Sequence, residues 1–534
     1  MLFRLPILAL ALTCALAAAD AHAAPTPGFV VHFDCLQNEA EARAIVKVAA
    51  VQGAGVISVV PPAHVWENPT ALRMLDAIVG DAGRLHLQII FARIDAAYPP
   101  DAKGQRENYL YGRILSEPGR LPDGRATVEY FLTTAGRRGY TEWMEEETRY
   151  YAVRYGRLPN LIGFTIGPFV EPFASERGGF LEYDNRTDRY ELTQYTPEAR
   201  RLWHRWLVAH LQDIGAVNRE YGTSFLAIDL VPLPSNEEDA RFGRPQAAYT
   251  DFVRTLDEWF FDAYRRCRGI WHTASGRDDV PFILQFSGFE AEKLAKGRPG
   301  VAAFDLPSWI ANADAVGLSL YSNGGYPDRG HAAIVATVRL LALARDLGKE
   351  IFVLEAGYEN PAVLVDANEF AFLADAPAAL APRTWIYEFL KDKFDESYAS
   401  NPGKLVGADG RLRKDAAAAV RQAFARLRDP GPERPQLRVA VDLPSLRTDR
   451  GVALAANALY ALASVAAIRW TAPASTAAVD PDVPFVRLAH VAGEPADPLT
   501  ALLLAAPEPG SEEREEWVRA VVARLPAGRS GGRK

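Results

Sequence analysis

The sequence predicts an α/β fold, a (β/α)8 TIM barrel carrying a small C-terminal α/β appendage. Three observations predict it. Short apolar runs alternate with amphipathic segments from about residue 28 to 430. The runs are almost continuously apolar, as strands covered on both faces must be. Eight such strand–helix units occupy this stretch, the number that closes a barrel with enlarged loops. A doubly wound sheet competes, but no Gly-rich phosphate loop follows the first strand.

At the N-terminus, Arg4 forms a short positive region, Leu5 to Ala19 is apolar, and Ala21-His22-Ala23 has the small-x-small pattern. Residues 1–23 therefore read as a secretory signal peptide cleaved before Ala24, and the expected location is secreted or periplasmic. An apolar run of about 15 residues is short for a bilayer, which needs about 20. Cys14 fits a lipoprotein pattern poorly, and no later run is long enough to span a membrane. The expected barrel, 24–430, opens with the strand Gly28–Asp34 and the helix Asn38–Val51. Strands Gly55–Val60, Leu85–Ala92 and Leu161–Gly167 come next, the last preceded by an acid-rich helix, Thr141–Tyr155. Two long helices, Pro197–Glu220 and Tyr249–Trp271, lead to strands Phe282–Gly288, Ala315–Tyr321, Glu350–Gly357 and Thr384–Leu390. The segments Asp95–Arg138 and Phe173–Thr196 are polar, rich in Tyr and Arg, and lie after strand C-termini, so they are expected to shape the face where barrel active sites lie. Residues 431–436 have linker composition, 437–526 read as a small α/β domain, and 527–534 as a disordered tail.

Composition narrows the partners. The 534 residues are 49% apolar, with 59 Lys+Arg against 67 Asp+Glu, a net charge of −8 that loss of Arg4 and Asp20 with the leader leaves unchanged. That mild acidic excess argues against nucleic acid or an anionic membrane as main partner. Three cysteines cannot build a disulfide scaffold; without Cys14, Cys35 and Cys267 form one disulfide or remain two buried thiols. HExxH and paired-Cys motifs are absent, and His204 and His210 lie six apart on different helix faces, so no metal or other cofactor is expected.

Candidate chemistry belongs at strand C-termini. The strand ends supply Asp34, Arg93, Glu171, Ser287, Tyr321, Glu355 and Trp385, with Asn323 just beyond. Two carboxylates stand out: Glu171, past the fourth strand in GFTIGPFVEP, and Glu355, ending the seventh in IFVLEAG. Strands four and seven oppose each other in an eight-stranded barrel, so the two acids can converge on one cleft. Cleavage of a glycosidic bond uses such a pair: one carboxylic acid protonates the leaving oxygen, and the other attacks the anomeric carbon or activates water. A separation of about 5–5.5 Å gives retention and about 6.5–9.5 Å inversion. Taken singly, each glutamate also fits a helix N-terminus or an ion pair. His32 and Asp34 are expected to line or support the pocket. Trp66, Trp143, Phe169, Phe173, Tyr183 and Tyr326 are candidate stacking residues beside ordinary packing roles, and Glu67 and Glu176 are reserve acids.

The placement of these acids resembles glycoside hydrolase clan A, and most of all the family 42 β-galactosidases. LPNLIGFTIGPFVEP (Leu158 to Pro172) is similar to their strand-four segment. Arg201 to Pro234, where a helix runs into an NREYGTSF stretch, and the helix carrying Trp259 are similar to the part of that family C-terminal to its fourth strand. The resemblance spans roughly residues 28 to 425 and is most specific in its middle third. It implies Glu171 as general acid/base, Glu355 as nucleophile, Tyr321 as hydrogen-bond partner of the nucleophile and Trp385 as the floor on which a sugar ring stacks. It also implies a carbohydrate substrate. Arg93, Asp34 and Asn323, at or just beyond strand ends, are expected to join the substrate-binding set. The chain departs from the pattern at Val170, where the clan has an asparagine that contacts the sugar 2-hydroxyl, and at Gly167-Pro168. The expectation is an exported retaining hydrolase of a β-linked oligo- or polysaccharide. A catalytically silent carbohydrate-binding barrel in envelope or exopolysaccharide handling, and a hydrolase of another bond using the same acids, stay open.

Overall fold

A computed structural model of the chain describes residues 24–92, 119–127, 140–170, 172, 179–187, 189–287, 297–322, 344, 347–358, 382–388, 390–391, 404–407, 409–428, 436–441, 458, 461, 467–470, 485–488, 498–505, 507 and 513–524. Strands β1 (Thr26–His32), β2 (Val56–Val60), β3 (Gln88–Phe91) and β4 (Leu161–Phe164) form the first half of a parallel sheet. A small antiparallel hairpin, β5 (Leu181–Asp184) and β6 (Arg189–Leu192), comes next. Then β7 (Ile283–Ser287), β8 (Ala315–Ser322), β9 (Glu350–Tyr358) and β10 (Thr384–Tyr387) complete the eight-stranded sheet. Its order is β4-β3-β2-β1-β10-β9-β8-β7. The two ends meet through parallel bridges Phe164–Phe282 and Val170–Gln285, and the Phe164 N–H donates to the Pro281 carbonyl at 3.1 Å. The expected (β/α)8 barrel is the observed one.

Local sequence explains the helices. α1 (Glu39–Val51) starts at Asn38, whose side chain accepts from the Glu41 N–H, and α2 (Pro69–Arg84) starts at Asn68 with proline in its first turn. α3 (Tyr140–Tyr155) precedes β4. The single helix expected over Pro197–Glu220 is two: α4 (Pro197–Leu211), capped by Thr196, and α5 (Ile214–Tyr221), capped by Asp213. The break falls at Gln212, held at φ 69°, after which the Asp213 carboxylate accepts from the Ala216 N–H at 2.8 Å. α6 (Pro245–Ser275) runs 31 residues and ends at left-handed Gly276. α7 (Leu306–Asn312) leads into β8, and α8 (Lys414–Arg428) packs beside β1.

Side chains divide between two layers. Val30, Val56, Val60, Ile90, Ala92, Ile162, Ile283, Ala315, Phe352, Leu354 and Ile386 fill the barrel interior. A larger cluster lies between strands and helices, where Phe164 stacks on Trp271 of α6 at 4.2 Å. Gly163 makes the interior fit, because a β-carbon there would lie 2.7 Å from Ile283 Cδ1. At the strand N-termini, the face that stabilises such barrels, Asp314 gathers Arg268 Nε (2.5 Å), His272 Nε2 (2.6 Å) and the Phe282 N–H (3.1 Å). This carboxylate joins α6 to the starts of β7 and β8.

Beyond the barrel, β11 (Gln436–Val441), β12 (Ala467–Trp470) and β13 (Phe485–Leu488) form a parallel sheet in the order β12-β11-β13. With α9 (Pro498–Leu504) and α10 (Glu513–Val522) they are the expected α/β appendage. Trp517 donates to the Leu502 carbonyl at 2.8 Å, and Leu503, Trp517 and Val521 belong to the same buried cluster as the barrel's outer core.

Candidate active site

The interior changes character toward the strand C-termini, where polar side chains replace apolar ones. β9 delivers Glu355, 1% exposed. Strict alternation from Phe352 and Leu354, both inside the barrel, would point residue 355 outward. A bulge prevents this. Along β8 the register passes from Leu318↔Val353 to Ser319↔Glu355, and along β10 from Trp385↔Val353 to Tyr387↔Ala356, so β9 carries one extra residue at 354. Val353 and Ala356 both lie in the outer cluster and Leu354 in the inner one. Two successive residues, Leu354 and Glu355, therefore face inward.

Neighbouring strands complete the lining. Ser319 of β8 accepts a hydrogen bond from Gln285 Nε2 of β7 at 2.7 Å, and both are buried. Ser287, which ends β7, is 2% exposed. His32, ending β1, pairs with Glu388 just past β10 through Nε2 and Oε1 at 2.6 Å. Asp34 sits in the 3-10 turn Phe33–Cys35, half-buried, and accepts from Cys35 Sγ at 3.4 Å. Lys391 ties this corner together by donating to the Cys35 carbonyl at 2.7 Å and to the Glu41 carboxylate. The oxygens Ser58 Oγ, Thr165 Oγ1 and Gln285 Oε1 are buried with no hydrogen-bond partner among the described residues. Buried polar atoms are normally satisfied, so these are groups a polyhydroxylated molecule or water can engage.

A second polar group lies at the end of β2. His64 adopts the left-handed conformation (φ 48°), costly for a residue with a side chain. Its N–H donates to Glu147 of α3, which also accepts from Trp143 Nε1 at 3.3 Å. Glu147 is fully buried, and this burial, with Glu146 and Glu67 nearby, pushes its carboxyl well above the usual carboxylate range despite those two hydrogen bonds. The His64 ring packs at a tilt against Trp66 at 4.6 Å, and Trp66 against Tyr150 at 4.3 Å.

The predicted residues fare differently. Glu355 faces the interior, and Asp34 lies in the turn Phe33–Cys35 that follows β1. Tyr321 is in β8 opposite Gly357, with only its backbone described. Glu171, Arg93 and Asn323 lie outside the described residues, as do Glu176, Phe173 and Tyr326. Val170 is described, and its backbone bridges to Gln285. Trp385 is not at the mouth. Ile386 points inward, so its neighbours Trp385 and Tyr387 point outward, and Trp385, 1% exposed, packs edge-on against Phe424 of α8 at 6.3 Å. The same alternation carries Glu388, two residues beyond Ile386, to the inner side; sequence reasoning misses it, because the phase of TWIYEFL is not evident from the run itself. Trp143 and Phe169 are core residues, Phe169 sitting among Phe260, Tyr264 and Phe282. Tyr183 is half-exposed on the hairpin against Tyr190, and Glu67 stands 3.5 Å from His64. Cys35 and Cys267 are buried thiols and form no disulfide, and burial pushes the Cys267 thiol up to about 12. Among the described residues, no group of three or more His, Cys, Asp or Glu is arranged to hold a metal ion.

No family model and no curated protein matches the sequence. Solved structures do. The fold is similar to the β-galactosidase of the Antarctic haloarchaeon Halorubrum lacusprofundi (TM-score 0.55, 14% identity, 86% of this chain and 68% of that one). It is similar also to the β-galactosidase of Bacillus circulans sp. alkalophilus (0.56, 14%, 87% and 65%). The catalytic domain of the β-amylase of Paenibacillus polymyxa matches over 76% of this chain and 99% of its own, at a TM-score of 0.52 and 10% identity. The chain thus spans about two thirds of these β-galactosidases. At such identities the likeness is one of fold alone, a (β/α)8 barrel.

Proposed function

We propose that the protein is an exported retaining glycoside hydrolase acting on a β-linked oligo- or polysaccharide, with Glu355 as nucleophile and Glu171 as general acid/base. The observation that carries this reading is the bulge at Leu354, which turns Glu355 into the polar end of the barrel. A carboxylate buried at the same end of the barrel as the inward-facing Ser319, Gln285, His32 and Glu388 is suited to a sugar, whose hydroxyls need several donors and acceptors. In the reaction, the Glu355 carboxylate attacks the anomeric carbon while Glu171 gives its proton to the departing glycosidic oxygen. Glu171 then takes a proton from water, whose oxygen displaces Glu355 from the sugar. Similarity of fold to β-galactosidases and the (β/α)8 rule that sites lie at strand C-termini support the assignment. The reading of residues 1–23 as a leader supports export. Among the described residues no helix is long and apolar enough to cross a membrane.

A second reading, a sugar-binding barrel without turnover, is favoured by Val170, which is 6% exposed and offers only its backbone where the clan has an asparagine side chain. A panel of aryl β-glycosides separates the two. Turnover by the wild type, lost on the order of 10⁴-fold in both Glu171→Gln and Glu355→Gln, supports the hydrolase. Saturable sugar binding by a wild type that turns over none of them supports the second reading.

A further inference from the structure

We propose that Arg298 is a positioning residue for the acid/base glutamate: paired with Glu191 and Glu237, it latches the β5–β6 hairpin across the barrel seam, and the hairpin in turn holds Pro172, the residue next to Glu171 in the chain. The inference rests on Glu171 being the acid/base of the proposed hydrolase.

The seam lies between β4 and β7, which among the described residues meet through isolated bridges rather than a continuous ladder. The chain that follows each strand supplies a second closure. After β4, the hairpin places Tyr190 in a parallel bridge with Gly297 and the buried Glu191 beside Arg298. Arg298 Nε donates to both Glu191 oxygens, at 2.8 and 2.6 Å, and its Nη1 stands 3.5 Å from Glu237 Oε2. The other Glu237 oxygen accepts from the Gly300 N–H at 2.8 Å. Gly300 lies against α6: a β-carbon there would be 2.4 Å from Tyr249 Cδ1, so the 3-10 turn Pro299–Ala303 is seated on that helix. Arg298, the residue before this turn, therefore has a fixed base.

From the latch to the acid/base the link runs through backbone. Phe180, fully buried against Phe260 and Phe304, opens the hairpin and donates its N–H to the Pro172 carbonyl at 3.1 Å. Its own carbonyl accepts at 3.0 Å from the N–H of Thr193, two residues beyond Glu191. A shift of Glu191 is thus passed through Thr193 and Phe180 to Pro172. Val170, which precedes Glu171, is held separately by its bridge to Gln285. The side chains of Arg298 and Glu191 are 12% and 4% exposed, so the pair is largely desolvated. Such a pair contributes geometry more than net stability, and the planar guanidinium fixes that geometry. Arg298 needs no contact with substrate for this role.

The test reads kcat/KM on two aryl β-glycosides of the sugar that the wild type hydrolyses best. One is the dinitrophenyl glycoside, whose leaving group departs without a proton; the other is the phenyl glycoside, whose leaving group needs one. Arg298→Met, Arg298→Lys, Glu191→Gln and Glu171→Gln are compared, each checked for folding by circular dichroism. A displaced general acid forfeits part of a contribution of about 10²–10⁴-fold, so Arg298→Met should fall about 30-fold on the phenyl glycoside and stay within about threefold on the dinitrophenyl one. Glu191→Gln, nearly isosteric, should show the same selectivity with a fall of about tenfold on the phenyl glycoside, and it decides the matter if Arg298→Met does not fold. Arg298→Lys, which keeps the charge without the planar fork, should lie between Arg298→Met and wild type. Equal falls on both substrates in Arg298→Met and Glu191→Gln, or no fall in either, overturn the proposal. If Glu171→Gln is selectively slow on the phenyl glycoside and these two are not, this inference alone fails. A Glu171→Gln enzyme slowed equally on both substrates, or a wild type without turnover, overturns it together with the assignment of Glu171.

Discussion

Trp385→Ala distinguishes a packing role from a sugar-stacking one. The ring is 1% exposed, pressed edge-on against Phe424 at 6.3 Å and aligned with Tyr387 at 6.5 Å. A buried tryptophan removes about 150–250 Å² from water, worth about 4–6 kcal/mol at 25 cal/mol per Å². Alanine keeps its β-carbon and the site relaxes in part, so the expected loss is about 3–5 kcal/mol. Phe424→Ala should cost a similar amount, and the double variant should fall short of the sum by about 0.5–1.5 kcal/mol, the coupling of two touching rings. Urea unfolding followed by far-UV circular dichroism reads the stability. Saccharide affinity, measured under conditions where the variant is folded, should stay within about twofold of wild type. An unchanged unfolding midpoint with affinity reduced tenfold or more would refute the packing argument and return Trp385 to the sugar floor.

Two further outcomes concern ionisable groups. His272 has an acceptor at each ring nitrogen, Asp314 Oδ2 at 2.6 Å and the Arg277 carbonyl at 2.9 Å, an arrangement that both nitrogens satisfy as donors only in the protonated ring. The Asp314 hydrogen bond holds it above the usual histidine range, against its partial burial. Its contribution, about 1 kcal/mol for a half-buried charge-assisted bond, is full below the unfolded value of about 6.5 and is lost as pH rises through the folded value. Melting curves of wild type and His272→Gln should therefore converge from pH 6 toward alkaline pH, and a gap constant with pH would contradict this. For Glu147, whose carboxyl is raised by burial, the protonated form is the native one, so stability should decline as pH rises from the unfolded value of about 4.3 toward the folded one. Glu147→Gln keeps the acceptor for the His64 N–H and should abolish that decline, whereas Glu147→Ala strands two buried donors and should cost about 2–5 kcal/mol. Equal losses in the two variants by thermal melting would argue against a neutral carboxyl.

Much of the fold was legible because strands covered on both faces leave unbroken apolar runs, and all eight runs read as strands are strands of the sheet. What the sequence hides is direction. Glu355 is recognisable as a strand-end acid, yet strict alternation would turn it outward; it faces inward only through a bulge, which leaves no mark in IFVLEAG. Trp385 and Glu388 show the converse. Once Ile386 is known to be interior, period two places the tryptophan outside and the glutamate inside, so both are readable from a correct phase, which the run alone does not supply. Asp213 is a readable helix cap inside a run that otherwise looks continuous. The left-handed turn at His64 has no local signature, since its support, Glu147, is 83 residues away. The Gln285–Ser319 bond likewise joins strands 34 residues apart and depends on register.

The central claim is that Glu355 attacks the sugar. Incubation with an activated 2-deoxy-2-fluoro glycoside of the best substrate, then peptide mass spectrometry, tests it directly. The account predicts time-dependent inactivation with one glycosyl adduct, on the peptide containing Glu355, absent from Glu355→Gln. Inactivation with the adduct on another carboxylate, Glu388 included, would contradict it.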